Sequence, residues 1–274
     1  MKKLVTLSLA LFICINLFAQ VKMPAPSPTQ TLKQDFGLGT IELKYSRPSA
    51  KGRKVFGELV PFNKLWRTGA NAATIITFTD PVMINGKKLD TGTYAIYTIP
   101  NLESWEVIFN KGITSSVATY KESDDVIRVK AEALKQKNKL ETFTMEIGNI
   151  RPESCELNLM WEKTLITLMV ETNVKEKLKA QLDAALSTDK KSYWQAAQFY
   201  TEYESNTTKA LEYVTKAIEE NPKAYYMWLY KAKIQKDMGD NAGAKESSKK
   251  SLELATAEKN EDYIRMNQAL LKKL

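Results

Sequence analysis

The residues best suited to chemistry lie in one stretch of the chain, Ile41 to Thr74. Three of the six arginines fall within it, whereas most other basic residues are lysines. An arginine guanidinium is a planar fork that can hold a carboxylate or phosphate through two hydrogen bonds, while a lysine ammonium is a mobile point charge. The concentration of arginine therefore predicts a site of defined geometry. The candidate ligand-binding residues are Tyr45, Arg47, Arg53, Trp66, Arg67 and Asn71.

These side chains have a binding interpretation and a structural one. In the first, they converge on a small anion or an acidic glycan, with the arginines holding the charge and an aromatic face against a ring. In the second, the arginines satisfy loop carbonyls or pair with Glu42, Glu58 or Asp80, and Trp66 closes the end of a β-sandwich. The sequence alone leaves both interpretations open.

Catalysis would require a positioned acid, base or nucleophile. The chain contains no histidine, the commonest general base. Ser46 or Thr68 would therefore lack an ordinary activating partner, and Gly52 to Gly57 matches neither common phosphate-binding loop. We assign no catalytic residue and expect a non-catalytic binding or scaffolding protein. The alternative is a hydrolase-like enzyme that acts on an anionic cell-envelope substrate.

Cysteine usage restricts the chemistry further. The two cysteines are Cys14, in an N-terminal apolar run, and Cys155. With Cys14 removed by processing, neither an intramolecular disulfide nor a cysteine-based zinc site can form. Cys155 alternates with Leu157, Leu159 and Trp161, which predicts a small buried side chain. We expect no metal and no cofactor.

The N-terminus has the pattern of a secretory signal peptide over residues 1–19. Lys2 and Lys3 precede an apolar run that is too short to span a bilayer, and Ala19 offers a cleavage site. Lipidation at Cys14 is disfavoured because Ile13 is too large to precede a lipidated cysteine. We therefore expect a periplasmic or extracellular protein that is soluble after cleavage. The net charge of +8 is spread over both halves, so we expect no nucleic-acid partner. No later stretch is long and apolar enough to span a bilayer, so we expect no membrane span.

Residues 20–29 form a proline-rich leader, expected to be extended, and residues 30–171 have the period-2 alternation of strands. Asn85-Gly86 between apolar runs predicts a hairpin, and Leu165 to Val170 is apolar enough to predict burial on both faces. Eight or nine short strands predict an all-β antiparallel sandwich or squashed barrel. Pro48 to Gly69 breaks this rhythm and is expected to be a long ordered loop of the kind that often carries function.

The same region resembles the bacterial family called domain of unknown function 2911. The motifs that carry the resemblance are Tyr45-Ser46-Arg47-Pro48, Gly52-Arg53, Phe56-Gly57-Glu58-Leu59-Val60-Pro61, Trp66-Arg67-Thr68-Gly69-Ala70-Asn71 and Ala73-Thr74. Further matches are Asn85-Gly86-Lys87, Gly92-Thr93-Tyr94, Trp105, Ile108-Phe109-Asn110 and Trp161-Glu162. The resemblance covers roughly Pro26 to Glu171 and implies an exported protein with a β-rich domain. It implies no activity.

Residues 172–274 change to helical periodicity. Four pairs of residues stand 34 positions apart: Trp194 and Trp228, Ala210 and Ala244, Ala217 and Ser251, Pro222 and Thr256. This spacing resembles tetratricopeptide repeats and predicts an all-α domain of helical hairpins, with Asn260 to Leu274 as a capping helix. Such a domain favours a groove for a protein or peptide partner, and a purely stabilising appendage remains the alternative.

Overall fold

The computed structural model describes residues 23–113 and 117–274; the expected signal peptide lies outside these residues. The described part contains ten strands followed by six helices. The strands are β1 (Thr29–Phe36), β2 (Gly39–Ser46), β3 (Thr74–Phe78), β4 (Val82–Ile84), β5 (Lys87–Leu89), β6 (Gly92–Ile99), β7 (Ser104–Asn110), β8 (Asp125–Glu132), β9 (Leu134–Gly148) and β10 (Ser154–Glu171). The helices are α1 (Lys175–Leu186), α2 (Tyr193–Glu202), α3 (Thr207–Glu220), α4 (Tyr225–Asp237), α5 (Asn241–Ala257) and α6 (Glu261–Leu271).

The strands form two antiparallel sheets. One sheet has the order β1-β2-β3-β6-β7-β8, and the other has the order β5-β4-β10-β9. Alternating apolar residues face the opposite sheet, as Ile41, Leu43 and Tyr45 of β2 do, and these three side chains are at most 2% exposed. The predicted all-β antiparallel fold is confirmed.

Hydrogen bonds link the two sheets along their edges. On one side, the backbone just after β2 bonds to β9, from the amide of Ala50 to the carbonyl of Glu141 and from the amide of Phe143 to the carbonyl of Pro48, each at 2.8 Å. On the other side, the side-chain amide of Asn85, in the turn after β4, donates to the backbone carbonyl of Lys130 in β8 at 3.1 Å. These bonds join the two sheets on both sides, so the sandwich has the form of a flattened barrel.

Two details of the strand prediction were wrong. The described residues contain ten strands rather than eight or nine, and one of them is β1, which begins at the last residue of the expected leader and pairs along its whole length with β2. The run Leu165 to Val170 is not buried on both faces: Ile166, Leu168 and Val170 point inward, but Met169 is 40% exposed. The reason is that β10 belongs to a sandwich, so one face of the strand has no covering layer.

Local turn chemistry was predicted correctly. Asn85 and Gly86 join β4 to β5 with φ values of 45° and 77°, as a tight hairpin turn requires. The long loop is also confirmed: no strand lies between Ser46 and Thr74. The loop is ordered by isolated β-bridges, including one between Trp66 and Thr98 of β6.

The helices pack as successive antiparallel neighbours. Side chains at their first turns define where they begin: Asn206 caps α3, Asp240 caps α5 and Asn260 caps α6, each by accepting a backbone N–H. The small residues of the 34-residue pattern lie at close helix crossings, where Ala210, Ala244 and Ser251 are fully buried. The predicted all-α region is confirmed. None of the helices described has the length and apolar character needed to cross a bilayer.

Candidate functional site

Tyr45 of the predicted arginine site lies in the interior, between the two sheets. Its side chain is 1% exposed, and its hydroxyl bonds to the backbone of Met145 in β9. Burial raises the pKa of Tyr45, so the phenol remains a neutral donor. This residue links the sheets and does not face the surface.

Arg47, the next candidate, also binds β9. Its Nε donates to the carbonyl of Phe143 at 3.1 Å, and its Nη2 donates to Oγ1 of Thr144 at 2.7 Å. Both interactions are partly buried. The guanidinium fork of Arg47 is thus turned toward the protein, where it satisfies acceptors of a neighbouring strand.

Trp66 belongs to an aromatic cluster at the end of the sandwich. Its ring lies 5.1 Å from Phe143, 6.1 Å from Trp105 and 6.0 Å from Trp161, measured between centroids. Its indole N–H donates to the carbonyl of Gly69 at 3.1 Å. Trp66 therefore packs against the core and orders the loop from inside.

Arg67 and Asn71 lie together in the last part of the loop. Nη1 of Arg67 donates to the carbonyl of Asn71 at 2.9 Å, and the Asn71 amide donates to the carbonyl of Ser27 at 3.2 Å. Asn71 has φ of 57°, a left-handed conformation that asparagine tolerates better than most residues. This pair attaches the leader to the loop.

Arg53 is exposed and makes local hydrogen bonds. Its Nε donates to the carbonyl of Ala50 and its Nη2 donates to that of Ser49, both at 2.9 Å. A surface cleft of about 460 Å³ opens beside it, between the leader and the loop, and the side chain of Lys51 contributes a second positive charge. Ser27, the acceptor for Asn71, also lines this cleft. The structure brings Arg53 and Asn71 to the same leader segment but places Tyr45, Arg47 and Trp66 in structural contacts.

A second polar cluster, on β7 and β8, was not singled out in the sequence. Arg128 forms salt bridges with Asp125 at 2.7 Å, Glu122 at 2.9 Å and Glu106 at 3.3 Å. The hydroxyl of Tyr120 donates to Asp125 at 2.7 Å. Burial, together with the neighbouring Asp125 carboxylate, raises the pKa of Tyr120 to about 12. Every charge in this cluster has a partner, as in a network that stabilises a fold.

The helical region carries a groove formed by three adjoining depressions. Their volumes are about 500, 160 and 350 Å³. The first shares Gln198 with the second, and the second shares Lys233 and Met266 with the third. Residues of α1, α2, α4 and α6 line the groove, whereas α3 and α5 line none of the three depressions.

Periodicity within the helices explains this alignment. Tyr226, Tyr230 and Lys233 of α4 are spaced by four and three residues, so they share one helix face. The ring of Trp194 in α2 packs edge-on against Tyr226 at 5.5 Å and Tyr230 at 5.0 Å. Burial raises the pKa of Tyr230, and its buried hydroxyl makes no hydrogen bond of ordinary geometry within the described residues, although Thr201 and Glu202 lie close to it.

The groove is basic at one end. Lys233, Lys236 and Lys273 line the depression between α4 and α6, where Asp237 is the acidic residue. Sequence reasoning predicted a groove in this region but assigned no residue to it. The signal that could have identified them is the shared face of Tyr226, Tyr230 and Lys233 in the first helix of a repeat.

The fold and these surfaces define a class of protein: an all-β antiparallel sandwich joined to an array of helical hairpins. Residues 27–170 match the family described as "Protein of unknown function (DUF2911)", which is more than half of the chain, and the chain belongs to this family. The resemblance inferred from the loop motifs is therefore confirmed.

Residues 158–267 are similar to a second family, described as "N-terminal acetyltransferase A, auxiliary subunit". This match begins inside strand β10, and its greater part covers the helices. A search of curated proteins found no match. Among solved structures, the solution structure of a protein from Bordetella parapertussis is 21% identical, over 37% of this chain and 87% of that chain, with a TM-score of 0.31.

Proposed function

We propose that this chain is a non-catalytic binding or scaffolding protein whose helical groove holds an extended, acidic segment of a partner protein. The observation that carries the proposal is the continuity of the three depressions along α1, α2, α4 and α6. A groove of this form offers an aromatic surface for apolar side chains in its middle section. Its lysine-rich end is complementary to acidic side chains.

The similarity of residues 158–267 to an auxiliary-subunit family supports this proposal. An auxiliary subunit works within an assembly, which is consistent with a helical region that contacts another protein. Together with the signal-peptide pattern of residues 1–19, the proposal implies a partner that is also outside the cytoplasm. The β-sandwich would then serve as the body to which the helical region is attached.

The cleft beside Arg53 favours a second candidate function, which is to bind a small anion or an acidic glycan. Lys51 and Arg53 both line this cleft of about 460 Å³. Because Nε and Nη2 of Arg53 already donate to carbonyls, an anion would contact the remaining Nη1 of Arg53 and the ammonium of Lys51. Of the six site residues predicted from the sequence, Arg53 is the one that lines this cleft.

Peptide display tests the proposed groove. A random peptide library would be selected against the immobilised chain, and each selected peptide would then be measured against two charge-reversal variants. Lys233→Glu with Lys273→Glu alters the groove, and Lys245→Glu with Lys249→Glu alters exposed positions of α5 by the same charge. We expect acidic peptides that lose binding only to the groove variant. Selected peptides without acidic residues, or peptides equally affected by both variants, would contradict the proposal.

A further inference from the structure

The long loop builds a second cleft, at the end of the β-sandwich, with a volume of about 240 Å³. Its floor is aromatic: the rings of Phe56 and Trp105 meet edge to face, 4.9 Å apart. Phe62 forms a wall and lies directly over Gly57. A Cβ at Gly57 would come within 2.9 Å of the Phe62 ring, and φ of Gly57 is 94°, so this position requires glycine.

Hydrogen bonds fix the walls of this cleft without help from a ligand. The amide of Asn63 donates to the carbonyl of Pro100 at 2.9 Å, and the side chains of Asn101 and Asn63 bond to each other at 2.9 Å. These bonds fasten the loop to the turn between β6 and β7. A pocket that is already formed loses little conformational entropy when a ligand enters.

Two lysines lie at the rim of the cleft. Lys135 is the second residue of the long strand β9, and Lys163 lies within the irregular pairing of β10, next to Glu162, which has φ of 50°. Within the described residues, neither Lys135 nor Lys163 forms a salt bridge, although Lys139 nearby pairs with Glu162 at 3.2 Å. Two cations beside an apolar floor favour a ligand that carries one negative charge and an apolar body.

We propose that this cleft binds a small carboxylic acid with an aromatic or short aliphatic body. The body would lie on Phe56 and Trp105, and the carboxylate would accept hydrogen bonds from the ammonium groups of Lys135 and Lys163. Small-molecule sites are mostly apolar pockets with a few convergent polar groups, and the mouth of a β-barrel is one of the places where they occur. The volume has room for about eight water molecules, which limits the ligand to a small one.

The exposed rim is consistent with this assignment. Leu102 is 74% exposed and Leu134 is 49% exposed, and both line the cleft. These two leucines extend the apolar lining of the cleft toward solvent. An amphipathic acid covers this surface and keeps its charge at the solvent edge, whereas an inorganic anion would leave the floor uncovered.

Fluorine NMR of the whole chain tests the proposal, with 4-fluorophenylacetate as the probe and 4-fluorobenzyl alcohol as its uncharged counterpart. The cleft variant is Lys135→Met with Lys163→Met. Its matched control is Lys130→Met with Lys137→Met, which removes two exposed lysines from β8 and β9 that do not line the cleft. We expect the acid to bind the cleft variant about tenfold more weakly than the wild type and to bind the control normally. The alcohol should bind the wild type and the cleft variant equally.

Three results would overturn the proposal. One is the absence of binding of 4-fluorophenylacetate to the wild-type chain. Another is a loss of 4-fluorophenylacetate binding that is equal in the cleft variant and in its control. The third is loss of binding in the groove variant Lys233→Glu with Lys273→Glu but not in the cleft variant, which would assign the acid to the helical region.

Discussion

The hydroxyl of Tyr45 joins the two sheets through the backbone of Met145. It donates to the Met145 carbonyl at 2.9 Å and accepts the Met145 amide at 2.8 Å. One side chain of β2 thus satisfies both polar groups of a buried residue in β9. The Tyr45 hydroxyl thus takes the place of a backbone partner that a neighbouring strand would otherwise supply to Met145. Tyr45, which belongs to the Tyr45-Ser46-Arg47-Pro48 motif, therefore has a structural role.

Tyr45→Phe should destabilise the chain because it leaves two buried backbone groups of Met145 without a partner. We expect the free energy of unfolding to fall by about 1–3 kcal/mol, which corresponds to about 2–4 °C in the thermal midpoint per kcal/mol. Tyr94→Phe is a suitable comparison, because within the described residues the Tyr94 hydroxyl makes one hydrogen bond, which it donates to the carbonyl of Asp90 at 2.8 Å. An effect of Tyr45→Phe no larger than that of Tyr94→Phe would contradict the assigned role.

Arg47 and Arg53 should differ in their effect on stability. Arg47→Met removes partly buried donors to Phe143 and Thr144, and we expect a loss of about 1–3 kcal/mol. Arg53→Met removes an exposed arginine and should change stability by less than about 0.5 kcal/mol. Urea unfolding of both variants measures the difference. If Arg47→Met leaves the midpoint unchanged or raises it, Arg47 is held for a ligand and the structural interpretation fails.

Cys155 should resist alkylation in the folded chain. Burial raises the pKa of its thiol to about 11, with a further contribution from Glu156. At pH 8 the thiol is therefore protonated and covered, and only the thiolate reacts. Iodoacetamide should modify the Cys155 peptide in urea but not in buffer, as read by peptide mass spectrometry. Fast modification in buffer would show that β10 opens readily.

Alkaline pH should weaken the cluster around Tyr120. Because burial raises the pKa of Tyr120 from 10.0 to about 12, the folded chain holds this proton more tightly than the unfolded chain. The resulting stabilisation is complete below pH 10 and is lost as the pH rises from about 10 to about 12. Tyr120→Phe cannot ionise, so the stability gap between the wild type and this variant should narrow over that interval. A difference in unfolding free energy that stays constant between pH 10 and pH 12 would contradict the raised pKa of Tyr120.

The sequence predicted what short-range chemistry controls. Asn85-Gly86 specified its hairpin because both residues tolerate positive φ. Asn260 was expected to open the last helix, and its side chain caps the first turn of α6 by accepting the backbone N–H of Tyr263. The apolar alternation of β2 likewise predicted which side chains are buried. Each of these features depends on neighbours within a few residues.

Contacts between distant residues were beyond sequence reasoning. The partner of Tyr45 is the backbone of Met145, and every residue has a carbonyl, so no residue type indicated this acceptor. The sequence suggested Glu58 and Asp80 as partners for the arginines, but the salt bridges of these carboxylates come from Lys54 and Lys177. Lys236 and Lys273 look in sequence like any solvated lysines, and the packing of α4 against α6 brings them to the groove.

The most direct test of the proposed function is the affinity of display-selected acidic peptides, measured by fluorescence polarisation with the whole chain. Binding should be at least tenfold weaker for Lys233→Glu with Lys273→Glu and unchanged for Lys245→Glu with Lys249→Glu, because α5 lines none of the three depressions. Binding to the wild type should also weaken as salt is added. Equal affinity of the wild type and the groove variant would show that the groove is not the protein-binding surface.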